Sequence, residues 1–197
     1  MCVHLPFSYR KATQALNYFS VQNGGQIDLL RALKLIFFAD RYHVRKYGRP
    51  ITGDDYFAMG KGPVPSATKD IAENSDYMGD EARLYSERYI AQPAKGKINS
   101  RAQVDTEELS ATDLEALKFA WQHFGRTYDI VAVSHQYPEW KRHETALTSA
   151  SRSRMDFMDF LDDPPQGIEP CHILNDSERA CRREQLKDLS AIEALWN

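Results

Sequence analysis

A chain of 197 residues, 42% hydrophobic and 27% charged, is long enough to bury one sizeable core and reads as globular rather than fibrous or disordered. Its formal net charge of −3 and pI near 6.1 oppose a general nucleic-acid binder, which carries a basic excess or stripe. Cys2, Cys171 and Cys181 form no CxxC pair, so neither a disulfide framework nor a thiolate zinc site is indicated, and a reducing cytoplasm is the expected setting. The N-terminal MCVHLPFSYRK lacks a signal-type apolar core, and no apolar run approaches the roughly 18 residues that span a bilayer.

Taken in order, Tyr9 to Val21 spaces Ala12, Ala15, Leu16 and Phe19 by three and four, the stripe of a helix. Asn23-Gly24-Gly25 ends it and leads through a tight connection, with Asp28 near the N-cap, into a second helix. These two are predicted to pack as an αα-hairpin. From Leu29 to Ala39 the second helix carries only Arg31 and Lys34 as charges, so it must lie inside the protein. After Ala39 it turns polar (Asp40, Arg41, His43, Arg45, Lys46), and Gly48 stops it. A turn at Thr52-Gly53-Asp54, an apolar run Tyr56–Met59 and a rigid loop, Gly60-Lys61-Gly62-Pro63-Val64-Pro65, follow.

Ser66 to Asn74 reads as a short helix. Leu84, Tyr85, Tyr89 and Ile90 before Pro93, then Ile98, Ala102 and Val104 on even positions, predict a β-hairpin with its turn at Pro93–Gly96. Ser110 and Asp113 fit a capping box opening a helix with Leu114, Leu117, Trp121 and Phe124 on one face, closed by Gly125. Thr127 is expected to cap a short helix that ends before Pro138. Met155–Leu161 forms a short amphipathic piece. A last helix from Asp176 or Ser177 carries Leu186, Leu189, Ile192 and Trp196 and must dock on the body or on a partner. The fold class is α+β: a predominantly helical single domain around a buried central helix, with a small β-hairpin or sheet element. Its parts are a domain over residues 1–147 and a C-terminal extension over 148–197.

Each chemical candidate has a plainer reading. A carboxylate such as Asp40, leaving apolar surroundings, can take the raised pKa a general base needs; the plainer reading is that it pairs with an Arg or caps backbone amides. Ser134, His135 and Asp129 are triad residue types without a nucleophile elbow, and adjacent side chains on a helix diverge by about 100°. His135 and His143 sit too far apart, with Pro138 between them, for one helical metal face. Gly60-Lys61-Gly62 lacks the phosphate-loop pattern, and Pro63 and Pro65 remove two donors such a nest would use. No catalytic set, metal site or cofactor is therefore expected. The rigid loop is read as a surface held out to another protein.

The helix LKLIFFADRYHVRKYG, the following RPITGDDYFAMGKGPV and the later VSHQYPEW together resemble the Panacea domain, the SocA-like antitoxin family that includes phage-associated GepA-type proteins. The similarity covers roughly residues 8 to 145; the part from about Thr148 is not matched. The resemblance implies a mostly helical domain with a small β element, acting as the antitoxin of a bacterial or prophage toxin–antitoxin pair. Its partner would be a cognate protein toxin, bound in a hetero-oligomer or by a homo-oligomer, with no membrane involved. Lys34, Asp40, Pro50, Gly53, Phe57, Gly62, Pro63, Val64, His135 and Trp140 are the residues that match the family pattern. The competing readings are a small cytosolic enzyme using Asp40 and His135, and a DNA-binding autorepressor, which the pI opposes. The unmatched C-terminal region is expected to help select the toxin, and deletion of Asp176–Asn197 to leave the core folded.

Overall fold

The structure, a computed structural model, describes residues 5–92 and 94–196. Cys2, Pro93 of the predicted turn and the side chain of Trp196 lie outside what it describes. Helix α1 (Tyr9–Gln22) begins where the Ser8 hydroxyl accepts from the Lys11 amide at 3.3 Å, and it buries Ala12, Ala15, Leu16 and Phe19. The predicted tight αα-hairpin is interrupted. Gly24 and Gly25, both at positive φ, turn the chain into strand β1 (Gln26–Asp28) before helix α2 (Leu29–Tyr47) starts. Asp28 holds the N-cap position, but its carboxylate accepts from Lys97 Nζ at 2.5 Å instead of capping.

Helix α2 is buried from Ala32 to Arg45 and ends at Gly48, whose φ of 73° is the left-handed turn that favours glycine. The polar stretch that follows Ala39 does not leave the interior: Asp40, Arg41, His43 and Arg45 are all fully enclosed. Its largest partner is α5 (Ala111–Phe124), where Phe38 stacks on Phe124 with centroids 3.8 Å apart; Phe37 packs edge-on to Tyr137 and Phe160. Enclosing each such ring contributes about 1.5–3 kcal/mol, which is why this helix centres the fold.

The stretch read as a rigid loop is a hairpin. Strand β2 (Tyr56–Met59) turns at Gly60-Lys61 into β3 (Gly62–Pro65), pairing Phe57 with Val64 and Met59 with Gly62. Prolines survive in β3 because it is an edge strand and the ladder bonds fall on Gly62 and Val64. Helix α3 (Ser66–Glu73) follows as expected. The first arm of the predicted β-hairpin is instead helix α4 (Asp80–Tyr89), in which Tyr85 and Tyr89 stand one turn apart and Tyr85 packs on Tyr9 of α1. Only the tip of that hairpin forms, as β4 (Ile90–Ala91) against β5 (Lys97–Ser100), and β1 completes the sheet β1-β5-β4.

The capping box of α5 is present in both directions between Ser110 and Asp113. Its buried face is Asp113, Ala116, Leu117, Ala120 and Phe124, so Leu114 and Trp121 lie at the margin of the stripe. Asp129, not Thr127, caps helix α6 (Ile130–Ser134), and Pro138 opens helix α7 (Pro138–Lys141). Strand β6 (Arg152–Arg154) then adds to the hairpin, giving a second antiparallel sheet in the order β3-β2-β6. The Phe157–Leu161 turn packs Phe160 and Leu161 into the core. The result is an α+β, mostly helical domain carrying two three-stranded antiparallel sheets among the described residues. No described helix is long and apolar enough to cross a membrane.

The last helix, α8 (Asp176–Trp196), docks through its first half. Leu186 is fully buried, and Arg182 donates to the carbonyls of Arg45 (3.2 Å) and Lys46 (2.6 Å) at the end of α2; Ile192 and Leu195 are 54% and 83% exposed. Deleting Asp176–Asn197 is therefore expected to destabilise the body by roughly 2–4 kcal/mol, from one uncovered leucine and the lost carbonyl partners. An unchanged thermal midpoint in the truncated chain would return this helix to the status of an appendage.

Candidate functional site

Two clusters along α2 account for most of the residues singled out in the sequence, and they stand six positions apart, about 9 Å along the helix axis. The first is built around Lys34. Its amine, fully buried, donates to the Pro63 carbonyl at 2.5 Å, and burial lowers its pKa to about 7. Gly62 is required above it. At φ 92° a Cβ would be strained, and it would meet Ser134 Oγ at 2.5 Å and Lys34 Cε at 3.0 Å. Beside them the His135 ring lies flat on Trp140 with centroids 3.7 Å apart, and the Trp140 indole N–H donates to the Met59 carbonyl at 3.0 Å. Burial, then the nearby Lys34 charge, lowers the pKa of His135, and its Nε2 is enclosed without a partner. Lys34, Gly62, Pro63, His135 and Trp140 thus clamp one hairpin near its turn.

The second cluster centres on Asp40. Its carboxylate accepts from the Ile51 amide (2.6 Å), the Thr52 hydroxyl (3.1 Å) and the Tyr56 hydroxyl (2.9 Å). Burial raises its pKa to about 6 against those three bonds. Pro50 is buried next to it, and Gly53, at φ 69°, lets the chain pass against the Pro6 carbonyl. Asp40 fixes the turn that aims β2. It does not meet His135, so the pairing an enzyme reading calls for is not assembled. The triad types are likewise spent locally: Asp129 accepts from the Ala132 amide, and the Ser134 hydroxyl donates to the Val131 carbonyl. Among the described residues no group of three His, Cys, Asp or Glu side chains is placed to hold a metal ion.

Phe57 and Val64 face the other way. They share the face of the hairpin opposite Ala58, where Phe57 is half-buried and Val64, itself buried, helps to line an open groove of about 730 Å³. Leu29, Leu30, Met59, Tyr128 and Val131 line the groove with it, Lys61 stands at its rim, and the Tyr128 ring is fully exposed.

Three polar groups escaped the sequence reading. Arg41 pairs with Glu139 at 2.5 Å, both side chains fully enclosed. Arg45 donates to the His172 and Asp162 carbonyls and to Asp163, tying the C-terminal segment to α2. His43 donates from Nδ1 to the Arg49 carbonyl (2.7 Å) and accepts at Nε2 from Thr112 (3.0 Å), a neutral ring whose pKa burial lowers to about 4. The one signal available was the i, i+4 spacing of Arg41 and Arg45 on a helix otherwise too apolar to be exposed.

A family model described as "Antitoxin SocA-like, Panacea domain" matches residues 33–141, more than half of the 197. That stretch contains all ten of the residues from Lys34 to Trp140 that carried the resemblance. No curated protein and no solved structure matches the chain.

Proposed function

The chain belongs to the SocA-like antitoxin family defined by the Panacea domain, and we propose that it neutralises a cognate protein toxin by direct, stoichiometric binding. The family points to a toxin–antitoxin role and to a non-enzymatic one. The observation that carries the binding mode is how the polar groups of the two clusters are used. Lys34 and Asp40 are committed to internal bonds that hold a hairpin and Ser134 to a bond within its own helix, while Phe57 and Met59 stay half-buried and the groove that Val64 helps to line is open. Such a scaffold has surface to offer, and Lys34, Asp40 and Ser134 are taken up in holding its shape. Toxin choice is assigned to the region past residue 147, which the matched stretch leaves out.

The test is co-expression with the product of the adjoining reading frame. Growth arrest by that product alone, relieved in proportion as this chain approaches equal amounts and accompanied by a co-purifying complex, is the expected result. Full protection at a small fraction of the toxin's amount would instead indicate turnover and overturn stoichiometric binding.

A further inference from the structure

Strand β6 leaves one side of its sheet open. It pairs with β2 in the register Phe57–Arg154, Ala58–Ser153 and Met59–Arg152, and the Met155 amide donates to the Tyr56 carbonyl at 2.9 Å. Bonded residues alternate in an antiparallel ladder, so Ser153 and Met155 bond inward. The N–H and C=O groups of Arg152 and Arg154 therefore point away from β2, where no described backbone group meets them. Both arginines are exposed and lie on the same outer face as Phe57 and Met59. The Arg152 guanidinium sits 5.0 Å over the Phe57 ring, Arg154 pairs with Asp55 at 2.7 Å, and the exposed Lys61 stands at the adjoining turn. Three cations against one carboxylate make this edge locally basic in a chain whose net charge is −3.

Basic residues on an edge strand discourage pairing with another copy of itself. Two such edges joined antiparallel about Ser153 would set Arg152 opposite Arg154 twice, and directly opposed like charges destabilise a pair. The same arrangement favours an acidic strand. The edge also lies at residues 152–154, past the end of the stretch shared with the family, yet it is bonded to the shared hairpin through β2.

We propose that β6 takes up an extended segment of the toxin as a fourth strand, with Asp or Glu at every second position facing Arg152 and Arg154. This rests on the antitoxin reading and deepens it: a hairpin inside the stretch shared with the family presents an edge strand that lies outside that stretch. Main-chain bonds supply the affinity and the alternating charges supply the choice of partner.

Two variants of the full chain, read against Arg154→Gln as the control for the lost charge, separate the terms. Arg154→Pro deletes an outward N–H while keeping the inward bonds of Ser153 and Met155, and Arg152→Glu with Arg154→Glu reverses the charge. With the adjoining frame's product as ligand, each is expected to bind roughly tenfold or more weakly, the worth of about one backbone hydrogen bond, with an unchanged melting midpoint. The amides of Arg152 and Arg154 should gain protection from hydrogen exchange in the wild-type complex. If the wild type binds while both variants bind equally well and those amides still exchange freely, the edge assignment fails and the antitoxin reading stands. If the wild type does not bind that product, the antitoxin reading fails, and a synthetic peptide alternating Glu and Val decides the edge. Protection of the two amides by that peptide, and not by its Lys–Val counterpart, upholds the assignment; equal or absent protection overturns it.

Discussion

Replacing Glu139 with Ala is expected to cost the fold about 3–5 kcal/mol, because it strands the Arg41 guanidinium in a place no water reaches. Arg41 has the Asp162 carbonyl at 2.6 Å and the Tyr137 ring at 4.7 Å, and neither carries the negative charge that Glu139 supplies. The pair itself is worth much less than its rupture. Glu139 Oε2 and Arg41 Nε are both enclosed without partners, and burial raises the Glu139 pKa, so desolvation is only partly offset. Replacing both ends together, Arg41→Met with Glu139→Leu, should therefore return stability to within about 1–2 kcal/mol of the wild type. Urea unfolding with an unchanged slope measures both. A loss under about 1 kcal/mol for Glu139→Ala alone would mean that Arg41 finds another counter-charge or water, and the enclosed ion pair would lose its standing as a clamp.

What the sequence displayed and what it hid divide along one line. Features whose partners lie within a few residues were legible: the apolar run Leu29–Ala39, the Gly48 stop and the Ser110–Asp113 capping box. Helix α2 as the support of the stretch that follows it was legible too, since Lys34 and Asp40 bond to the hairpin and the turn before it, whereas His135 and Trp140 join from distant chain that no local pattern announced. Features decided by distant chain were not. Arg41 and Arg45 look like a basic last turn, yet their acceptor is the Asp162 carbonyl, 121 and 117 positions away. Strands β1 and β6 are three residues long, too short to display a period, and exist because Ile98 and Ala58 lie across from them. Tyr85 and Tyr89 favour a strand by type, but packing of Tyr85 against Tyr9 of α1 makes that stretch a helix, and tertiary contact outweighs propensity.

Lys34→Met, at the centre of the site, is expected to act in the opposite direction and stabilise the fold. An amine with a pKa of 10.5 in the unfolded chain and about 7 in the folded one gives up its proton to be buried, because burial strips its hydration and the partner described for it is the neutral Pro63 carbonyl. The folded state binds fewer protons, so the penalty is absent above pH 10.5. It grows as pH falls through that value, stands at about 4 kcal/mol at pH 7 and reaches its full size, about 5 kcal/mol, below it. Methionine fills a similar volume without a charge but leaves the Pro63 carbonyl unsatisfied, which returns about 1–3 kcal/mol of the gain. The net expectation is a variant more stable than the wild type by about 1–3 kcal/mol at pH 7, with the gap shrinking and then reversing as pH rises toward 10.5. Unfolding curves at several pH values decide it, and a gap that does not change with pH would sink the argument. If the gap narrows as expected, this fold keeps a costly amine directly behind the Gly62–Pro65 strand. A cost of that kind persists where the hairpin's position matters more than the stability of the whole.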